Sequence, residues 1–511
     1  MSETLKFFVV TGWGIYILVL SFWIILEKRS PQATICWLLA LVWFPVVGWL
    51  IYYLIGPHRL KRHRLVRDQR KQVLIGYRNY WHEQVTEALK FYPRQVLNVH
   101  GLRDVEVQSY EGLVNIADEL KLPHLLDQTA RHISLMIYET TGLPLSIASR
   151  YELLDGGAQT FDAIMQAIRE AKHTVHLEYY IYEADATGTM LRDLLTEKAR
   201  SGVKVRLLVD WLGSRRVTYK YMAGFLDAGG ELAFFHAGSL RPVRPLLNNR
   251  SHRKIVVCDG AVGFTGGINI TDEEDHRRHE NAYHDLHLCL EGPAVYWLEE
   301  VFLEDWHYTT GQIPQDTLPP VSLRSVPPEK IQQVQVITAG PDMPEAPIWR
   351  AKLMAINAAK QRVWLVTPYF VPDEPAVFAL TSAALRGLDV RLMVPKESDS
   401  LITTLAARSW YVELLKAGVR IWEYGPRMLH SKTLLIDEEF SFVGTDNFDN
   451  RSFRLNFEVT VLNYERSGAM ALARQFEMDM TYATELKVSR KRRPLRQQLP
   501  EGVARLCSPL L

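Results

Sequence analysis

Cysteine is scarce in this chain, and the sequence lacks the motifs that are typical of zinc, nucleotide and divalent-metal sites. The 511 residues include four cysteines, Cys36, Cys258, Cys289 and Cys507, and no two of them form a Cys-x-x-Cys pair. This spacing argues against a zinc site and a disulfide framework, and it is compatible with a reducing compartment. The sequence also has no P-loop and no carboxylate-rich metal cluster. We therefore expect neither a nucleotide nor a metal ion as a cofactor.

One short motif occurs twice, 178 residues apart. Both copies read His-x-Lys-x-x-x-x-Asp, and in both an Asn lies seventeen residues after the His. The members are His252, Lys254, Asp259 and Asn269 in the first copy, and His430, Lys432, Asp437 and Asn447 in the second. A single His-x-Lys is a weak pattern, but its recurrence with the same neighbours is hard to obtain by chance. The repetition predicts one active site built from two halves of the chain.

Apolar and β-branched residues follow each His-x-Lys, so each copy is predicted to lie on a strand. Residues two apart on a strand project from the same face, which places an imidazole beside an ammonium group in each half. A carboxylate lies on a later predicted strand of each half, Asp285 in the first and Glu458 in the second. We expect each to accept the Nδ1 hydrogen of the histidine in its own half, leaving Nε2 free to react.

The similarity between the halves extends beyond the motif. In both, helical patterns alternate with apolar strands before the histidine strand is reached. This alternation predicts the α/β class, with two tandem α/β/α sandwich domains built on mixed sheets. We expect the first domain over residues 136–315 and the second over 335–485, joined by a Pro- and Ser-rich linker at 316–334.

Two stretches near the amino terminus, residues 7–26 and 33–55, carry no charge. Each is long enough to cross a hydrocarbon core of roughly 30 Å, which predicts a two-helix transmembrane hairpin over residues 1–58. A cleaved signal peptide is the competing interpretation of the first stretch, but a second apolar stretch follows at once. The next segment, a helical linker region over residues 59–135, opens with a basic cluster. Such a cluster favours the cytoplasmic side of the membrane and attracts anionic headgroups.

The carboxy-terminal tail, residues 486–511, combines basic and apolar character. It opens with the basic run Arg490–Arg493, and its end is apolar. Such a tail either contacts the membrane surface or is disordered, and composition does not separate these alternatives.

Both motif copies resemble those of the phospholipase D superfamily, in which two such motifs meet across a pseudo-twofold interface. Further segments are similar to those of bacterial cardiolipin synthases: Thr367–Pro372, Gly444–Ser452, Leu455–Glu458 and Ser508–Leu511. The amino-terminal pair of hydrophobic stretches is similar as well. One departure is that Gly267 stands where the second copy has the hydroxyl of Thr445.

The resemblance implies a phosphatidyltransferase in the inner membrane of a bacterium, converting two phosphatidylglycerol molecules into cardiolipin and glycerol. Phosphodiester exchange needs groups that neutralise the phosphate oxygens, a nucleophile, and a proton donor for the departing alkoxide. The groups expected around the phosphate are Lys254, Lys432, Asn269, Asn447 and Thr445. Neutral His252 would attack phosphorus to form a phosphohistidine, and protonated His430 would donate to the leaving glycerol.

Asp259 and Asp437 belong to the motif and so to the candidate catalytic residues. They nevertheless lie five residues beyond the lysines. At about 3.3 Å per residue, an extended strand carries them far from the histidines, which favours a structural role in a turn or an interface.

Other functions remain open at the level of sequence. A phospholipase D-type hydrolase would use water as the acceptor, and another transferase would use phosphatidylethanolamine. A nuclease would usually carry aromatic stacking platforms in a basic groove, whereas the basic cluster here adjoins an apolar stretch, so we expect no nucleic-acid partner. A noncatalytic scaffold would be expected to lose a motif His or Lys, and both copies are intact.

Overall fold

The computed structural model describes residues 3–26, 31–43, 127–237, 249–314, 331–487, 494–508 and 511. Three sequence features lie outside these ranges. They are the basic cluster that opens the segment from residue 59, most of the linker at 316–334, and the basic run Arg490–Arg493.

The amino-terminal unit contains two helices, α1 (Glu3–Leu26) and α2 (Pro31–Trp43). They contact each other through Ile24 and Leu41, which are buried in a small apolar cluster. The second apolar stretch continues past Trp43, outside the described residues. Among the helices that are described, none is both long and apolar enough to span a bilayer.

The first half of the catalytic body follows as alternating strands and helices. Its strands are β1 (Ser146–Ala148), β2 (Arg150–Asp155), β3 (Thr174–Tyr179), β4 (Lys204–Asp210), β5 (Glu231–Phe235), β6 (Lys254–Cys258), β7 (Val262–Gly266) and β8 (Leu286–Glu291). Its helices are α3 (Gln128–Thr141), α4 (Gly156–Glu170), α5 (Ala186–Arg200), α6 (Ala223–Asp227) and α7 (Ala294–Thr310), with a 3-10 turn at Asp272–Glu274. Seven strands form one mixed sheet in the order β2-β8-β7-β6-β3-β4-β5.

The second half repeats the pattern. Its strands are β9 (Gln332–Ala339), β10 (Arg362–Val366), β11 (Phe370–Val371), β12 (Asp389–Pro395), β13 (Arg420–Tyr424), β14 (Thr433–Ile436), β15 (Phe440–Gly444), β16 (Phe448–Asp449), β17 (Glu458–Asn463) and β18 (Ala483–Leu486). Its helices are α8 (Pro347–Ala358), α9 (Glu374–Leu385), α10 (Leu401–Ala417), α11 (Asn450–Arg454), α12 (Arg466–Met480) and α13 (Leu495–Leu506). Nine strands form a mixed sheet in the order β1-β9-β17-β15-β14-β10-β12-β13-β18, and β11 pairs with β16.

The two sheets share one topology. The order β9-β17-β15-β14-β10-β12-β13 repeats that of the first sheet strand for strand, and β1 and β18 extend its two edges. This confirms the predicted tandem α/β halves with mixed sheets. One short strand, Ser146–Ala148, lies within the range expected for the first domain but pairs antiparallel with β9 of the second sheet. Helix α3 also packs on the second half, where Ile133 and Ile137 join its core.

A core common to both halves holds them together. Side chains of β8, such as Leu288, lie in the same buried cluster as Val443 of β15 and Val459 of β17. Helix α7 contributes Leu298 and Phe302 to this cluster. Each fully buried large apolar side chain contributes about 1.5–3 kcal/mol, so this shared core strongly fixes one half against the other. The ends of β6, β8, β14 and β17 that carry the motif residues are thereby fixed.

Candidate active site

The two histidine segments are each anchored to the opposite half. The backbone N–H of His252 donates to the carbonyl of Phe457 at 2.9 Å, and that of His430 donates to the carbonyl of His284 at 2.7 Å. Both imidazoles are buried, with 8% and 7% of the residue exposed. The structure therefore brings the two motif copies together at the boundary between the halves.

The carboxylates pair with the histidines across this boundary. His252 Nδ1 donates to Glu458 Oε2 at 3.0 Å, and His430 Nδ1 donates to Asp285 Oδ2 at 2.7 Å. The expected pairing within each half is thus wrong. The reason lies in the backbone contacts, because Phe457 and His284 bind the opposite histidine segment. The next residue in each case, Glu458 or Asp285, then faces that segment's imidazole.

Three neutral donors complete the environment of Glu458. Thr445 Oγ1 donates to Oε2 at 2.5 Å, Ser452 Oγ donates to Oε1 at 2.8 Å, and Asn456 Nδ2 lies 3.3 Å from Oε1. Burial would raise the pKa of Glu458, but His252, followed by Lys254 and Thr445, together outweigh it and hold the pKa at about 2. The expectation that Thr445 contacts the phosphate needs correction, since its hydroxyl hydrogen is used by Glu458.

The difference between Gly267 and Thr445 follows from this geometry. A Cβ atom at Gly267 would lie 2.1 Å from both carboxylate oxygens of Asp285. No side chain fits there, so the glycine provides the space that the Asp285 carboxylate occupies. In the first half, Gly267 has no side chain and leaves space for the Asp285 carboxylate. In the second half, the Thr445 hydroxyl at the same position donates a hydrogen bond to Glu458.

Both motif lysines are buried in the site. Lys254 Nζ donates to the carbonyl of its own His252 at 2.8 Å. Lys432 Nζ lies 3.3 Å from Asp285 Oδ2 and 2.8 Å from His430 Nδ1. Burial, and then repulsion from Lys432, lowers the pKa of Lys254 to about 7. Two ammonium groups that repel each other favour the binding of an anion between them.

The two asparagines differ in their contacts. Asn269 is engaged on both sides of its amide, since Oδ1 accepts the N–H of Ile181 at 3.3 Å and Nδ2 lies 3.4 Å from Glu274 Oε1. Asn447 donates its backbone N–H to Ser452 Oγ at 3.0 Å, while its buried side-chain oxygen has no hydrogen-bond partner among the described residues.

Both histidines are neutral near pH 7 in the absence of substrate, because their pKa values are lowered. Burial lowers the pKa of His252 to about 4, with Glu458 opposing the shift and Lys254 adding to it. Burial also lowers the pKa of His430, followed by the effect of Lys432. A phosphodiester monoanion would act in the opposite direction, because a nearby negative charge favours the imidazolium form.

Asp259 and Asp437 lie beyond β6 and β14, at the opposite ends of these strands from the histidines. Asp259 accepts the backbone N–H groups of residues 172–174 at 2.7–2.8 Å, and Asp437 accepts those of residues 360–362 at 2.7–2.8 Å. Both adopt a left-handed backbone conformation with φ of 53°. These contacts fix the turns that lead into β3 and β10. The expectation that Asp259 and Asp437 are catalytic therefore needs correction, and their role is structural.

One buried acid of the site was missed by the sequence analysis. Glu274 is 1% exposed, and its Oε1 lies 4.0 Å from His430 Nδ1. It lies in a stretch from Asp272 to Glu280 that reads as a charged insertion. The available signal was positional, because Glu274 follows Asn269 by five residues, as Ser452 follows Asn447.

Glu274, Asp285 and His430 are the described residues with an arrangement that could hold a metal ion. Their donor atoms all lie within 4.8 Å of one another. Lys432 Nζ lies against the same Asp285 oxygen, so a metal ion there would have to compete with an ammonium group. The expectation that no metal is required stays a prediction.

Comparison with known proteins places the chain in a family. A family model described as cardiolipin synthase, PLD-like domain, matches residues 164–306 and 353–480. A second model, described as phospholipase D-nuclease N-terminal, matches residues 14–57. These matches cover most strands of both sheets, part of α1 and all of α2.

Full-length relatives agree. The chain is 35% identical over 512 aligned residues to cardiolipin synthase 1 of Bacillus anthracis, covering 99% of this chain and 94% of the relative. It is 38% identical to the cardiolipin synthase of Geobacillus kaustophilus, covering 95% and 90%. In fold it is similar to the phosphatidylserine synthase of Haemophilus influenzae, with a TM-score of 0.56 at 15% identity, covering 74% of this chain and 100% of that one. The chain belongs to the family of phospholipase D-like cardiolipin synthases.

Proposed function

We propose that the protein is a phosphatidyltransferase that joins two phosphatidylglycerol molecules into cardiolipin and releases glycerol. The observation that carries this proposal is the crossed pair of His–carboxylate contacts, with two buried lysines beside them. Two imidazoles, each fixed in one tautomer, supply a nucleophile and a separate proton carrier for the same phosphorus atom. The full-length relatives carry the name cardiolipin synthase, which supports lipid phosphodiesters as the substrate class.

In the first step, Nε2 of neutral His252 attacks phosphorus and the bond from phosphorus to the glycerol oxygen breaks. His430, which takes up a proton from solvent when the phosphodiester anion binds, donates its Nε2 proton to that oxygen, so that glycerol leaves as a neutral alcohol. Glu458 stabilises the positive charge on His252 through the Nδ1 hydrogen bond. The product is a phosphatidyl group bound to His252.

In the second step, a hydroxyl of another phosphatidylglycerol transfers its proton to His430 and attacks phosphorus. The bond between phosphorus and His252 breaks, which gives cardiolipin and restores neutral His252 and protonated His430. Lys254, Lys432 and the Asn447 amide would hold the nonbridging oxygens through both steps. One phosphodiester replaces another, so the exchange needs no activated nucleotide.

The test is product analysis with purified protein in vesicles of labelled phosphatidylglycerol, with a chelator present and no nucleotide. We expect cardiolipin and glycerol in equal amounts, and added glycerol should drive the reaction backwards. Phosphatidic acid as the main product would indicate a hydrolase. A requirement for a CDP-activated lipid or a divalent ion would indicate a different transferase. A parallel incubation with phosphatidylethanolamine tests whether that lipid also serves as a co-substrate.

We also propose the arrangement of the chain at the membrane. Residues 1–58 would form a transmembrane hairpin with the two catalytic domains, 136–315 and 335–485, on the cytoplasmic side. Many large apolar side chains of α1 and α2 are exposed, which suits contact with lipid. They include Trp13, Ile15, Leu18, Val19, Phe22 and Ile25 on α1, and Ile35, Leu39, Val42 and Trp43 on α2.

Topology is testable with single cysteines in a chain whose four native cysteines are replaced by serine. A cysteine at Lys28 should react with a membrane-impermeant maleimide on spheroplasts, and one at Lys61 should react only after the membrane is opened. The reverse pattern would place the catalytic domains on the outer side.

Helix α13 provides a second surface suited to lipid. Its exposed face carries an apolar stripe, Leu495, Leu499, Val503 and Leu506, between 55% and 81% exposed. These four residues lie within one side of a 3.6-residue helix, opposite the buried Glu501 and Ala504. The helix over these residues, with its exposed apolar stripe, supports the proposal that the tail contacts the membrane interface.

A nitroxide label at position 499 tests this contact. We expect it to lose access to a water-soluble relaxation agent when the protein moves from detergent into phosphatidylglycerol vesicles. A label at Gln497, outside the stripe, should stay accessible. Equal accessibility at both positions in vesicles would show that α13 does not lie on the bilayer.

A further inference from the structure

The two halves of the site have chemically different residues five positions after the motif asparagine, Ser452 in the second half and Glu274 in the first. In the second half, Ser452 Oγ accepts the backbone N–H of Asn447 at 3.0 Å and donates to Glu458 Oε1 at 2.8 Å. In the first half, the residue at the same distance from the motif asparagine is Glu274, whose Oε1 accepts the backbone N–H of Asn269 at 3.1 Å. Glu274 therefore takes the place of Ser452 beside the other histidine-binding carboxylate, Asp285.

A serine hydroxyl in this place donates a hydrogen to its carboxylate, but an ionised glutamate has none to donate. Donor atoms of Glu274 and Asp285 lie within 4.8 Å of each other in a cluster with His430. Two buried carboxylates at such a separation do not readily ionise together. The second oxygen of Glu274, Oε2, is buried and has no hydrogen-bond partner among the described residues.

We propose that Glu274 is a positioning residue that carries a proton in the working site, and that this acid replaces the Ser452 hydroxyl as the group that supports Asp285 and, through it, His430. The proposal deepens the transferase function proposed above and rests on it. Its consequence is asymmetry: the His252–Glu458 pair is supported by hydroxyls that do not titrate near neutral pH, whereas the His430–Asp285 pair is supported by a group that does.

The charges of the site favour this state. With the substrate anion favouring the ammonium form of Lys254, Lys254 and Lys432 balance Glu458 and Asp285, and the phosphodiester monoanion is balanced by one imidazolium, that of His430. An ionised Glu274 would add an uncompensated negative charge beside a negatively charged substrate, which a buried site disfavours. A neutral Glu274 leaves the loaded site without net charge.

The surroundings of Glu274 act in the same direction. The titratable and charged groups that face it are Asp285, His430, Lys432, Lys254, Tyr179 and Tyr283. Burial, followed by repulsion from Asp285, raises the pKa of Glu274 to about 8, although Lys432 and the Asn269 contacts oppose the shift. The turn that carries it is fixed, since Asp272 accepts the N–H of Thr187 at 2.8 Å and donates its own N–H to Asp185 at 2.7 Å.

The direct test is an infrared difference spectrum between the wild type and Glu274→Gln, recorded on the full chain in D2O without substrate. We expect the carbonyl stretch of a protonated carboxylic acid at neutral pH, missing in the variant and lost in the wild type as the pH rises past about 8. Absence of that band at neutral pH would overturn the proposal. This readout does not depend on turnover, so it stands even if the enzyme proves to be a hydrolase.

Kinetics on phosphatidylglycerol distinguish positioning from a merely structural role. Glutamine keeps an acceptor for Asn269 and a donor for Asp285, so Glu274→Gln should stay within about tenfold of wild-type kcat at neutral pH, while Glu274→Ala should lose about a hundredfold. In the wild type, the rate should fall near pH 8 as Glu274 loses its proton. In Glu274→Gln this fall should disappear, except for any part caused by deprotonation of Lys254. Ser452→Ala is the matched control, since it should slow the reaction without moving that decline.

Two outcomes would contradict the proposal. Equal losses in Glu274→Gln and Glu274→Ala, with both variants folded, would show that the ionised carboxylate is what the site needs. Activation of the wild type by Mn²⁺ or Zn²⁺ that Glu274→Gln abolishes would make Glu274 a metal ligand instead.

Discussion

The crossed pairing of the histidines predicts that each carboxylate affects the chemistry of the opposite half. Glu458 lies in the second half but contacts His252, and Asp285 lies in the first half but contacts His430. A substrate with a good leaving group, such as the p-nitrophenyl ester of phosphatidic acid, separates the two roles. It needs the nucleophile but no proton donor to form the phosphohistidine.

We expect Glu458→Gln to slow the initial burst of p-nitrophenol strongly. Loss of a hydrogen bond to a charged group costs about 1.5–3 kcal/mol, or about ten- to a hundredfold in rate, and a wrong imidazole tautomer extends the loss toward about ten-thousandfold. Asp285→Asn should leave the burst within about threefold of the wild type, because His430 is not needed for this leaving group. With phosphatidylglycerol itself, both variants should be slow.

The assay is stopped-flow absorbance of p-nitrophenol with substrate in excess over enzyme, which separates the burst from later turnover, and circular dichroism confirms folding. Pairing within each half would give the opposite result, with a normal burst in Glu458→Gln and a slow one in Asp285→Asn. Equal effects on the burst would show that the two histidines do not have separate roles.

Five further substitutions, at four positions, test other parts of the site. His252→Ala and His430→Ala should each lower kcat on phosphatidylglycerol by at least about a thousandfold in a folded protein, and near-normal turnover of either would refute the two-histidine site. Gly267→Ala should lower activity by about a hundredfold or more, because the added Cβ would collide with the Asp285 carboxylate; unchanged activity would show that this carboxylate moves freely. Asp437→Ala should lower the free energy of unfolding by about 2–4 kcal/mol, because three hydrogen bonds to backbone N–H groups are lost. Asp437→Asn should lower it less, because asparagine tolerates the left-handed backbone conformation. A denaturant titration measures both values.

Much of the fold was predictable because it depends on local patterns. The alternation of apolar strands with helical segments, repeated in both halves, specifies tandem α/β sandwiches, and the repeated motif specifies which strands carry the site. The pairing of β1 with β9 was not predictable, because three residues of strand carry no information on which sheet edge they join.

The site was only partly predictable, since sequence names the residues but not the contacts between halves. His252 and Glu458 are separated by 206 residues, and their contact depends on how the two sheets pack. Thr445 has a hydroxyl suited to bind phosphate, and only its short contact with Glu458 shows that the hydrogen is already used. Glu274 was hidden within a charged segment, where an acidic residue is ordinary, until its burial became visible.

The most direct measurement is the location of the covalent phosphatidyl group during turnover. Protein mixed with labelled phosphatidylglycerol would be quenched within milliseconds under alkaline denaturing conditions, which preserve phosphohistidine, then digested and mapped. The predicted result is label on the peptide that contains His252. With a substrate that has a good leaving group, His430→Ala should carry more label than the wild type, because transfer of the phosphatidyl group from His252 then lacks the base that His430 supplies. Label on the His430 peptide would reverse the two roles, and a peptide map without covalent label would contradict the double-displacement mechanism itself.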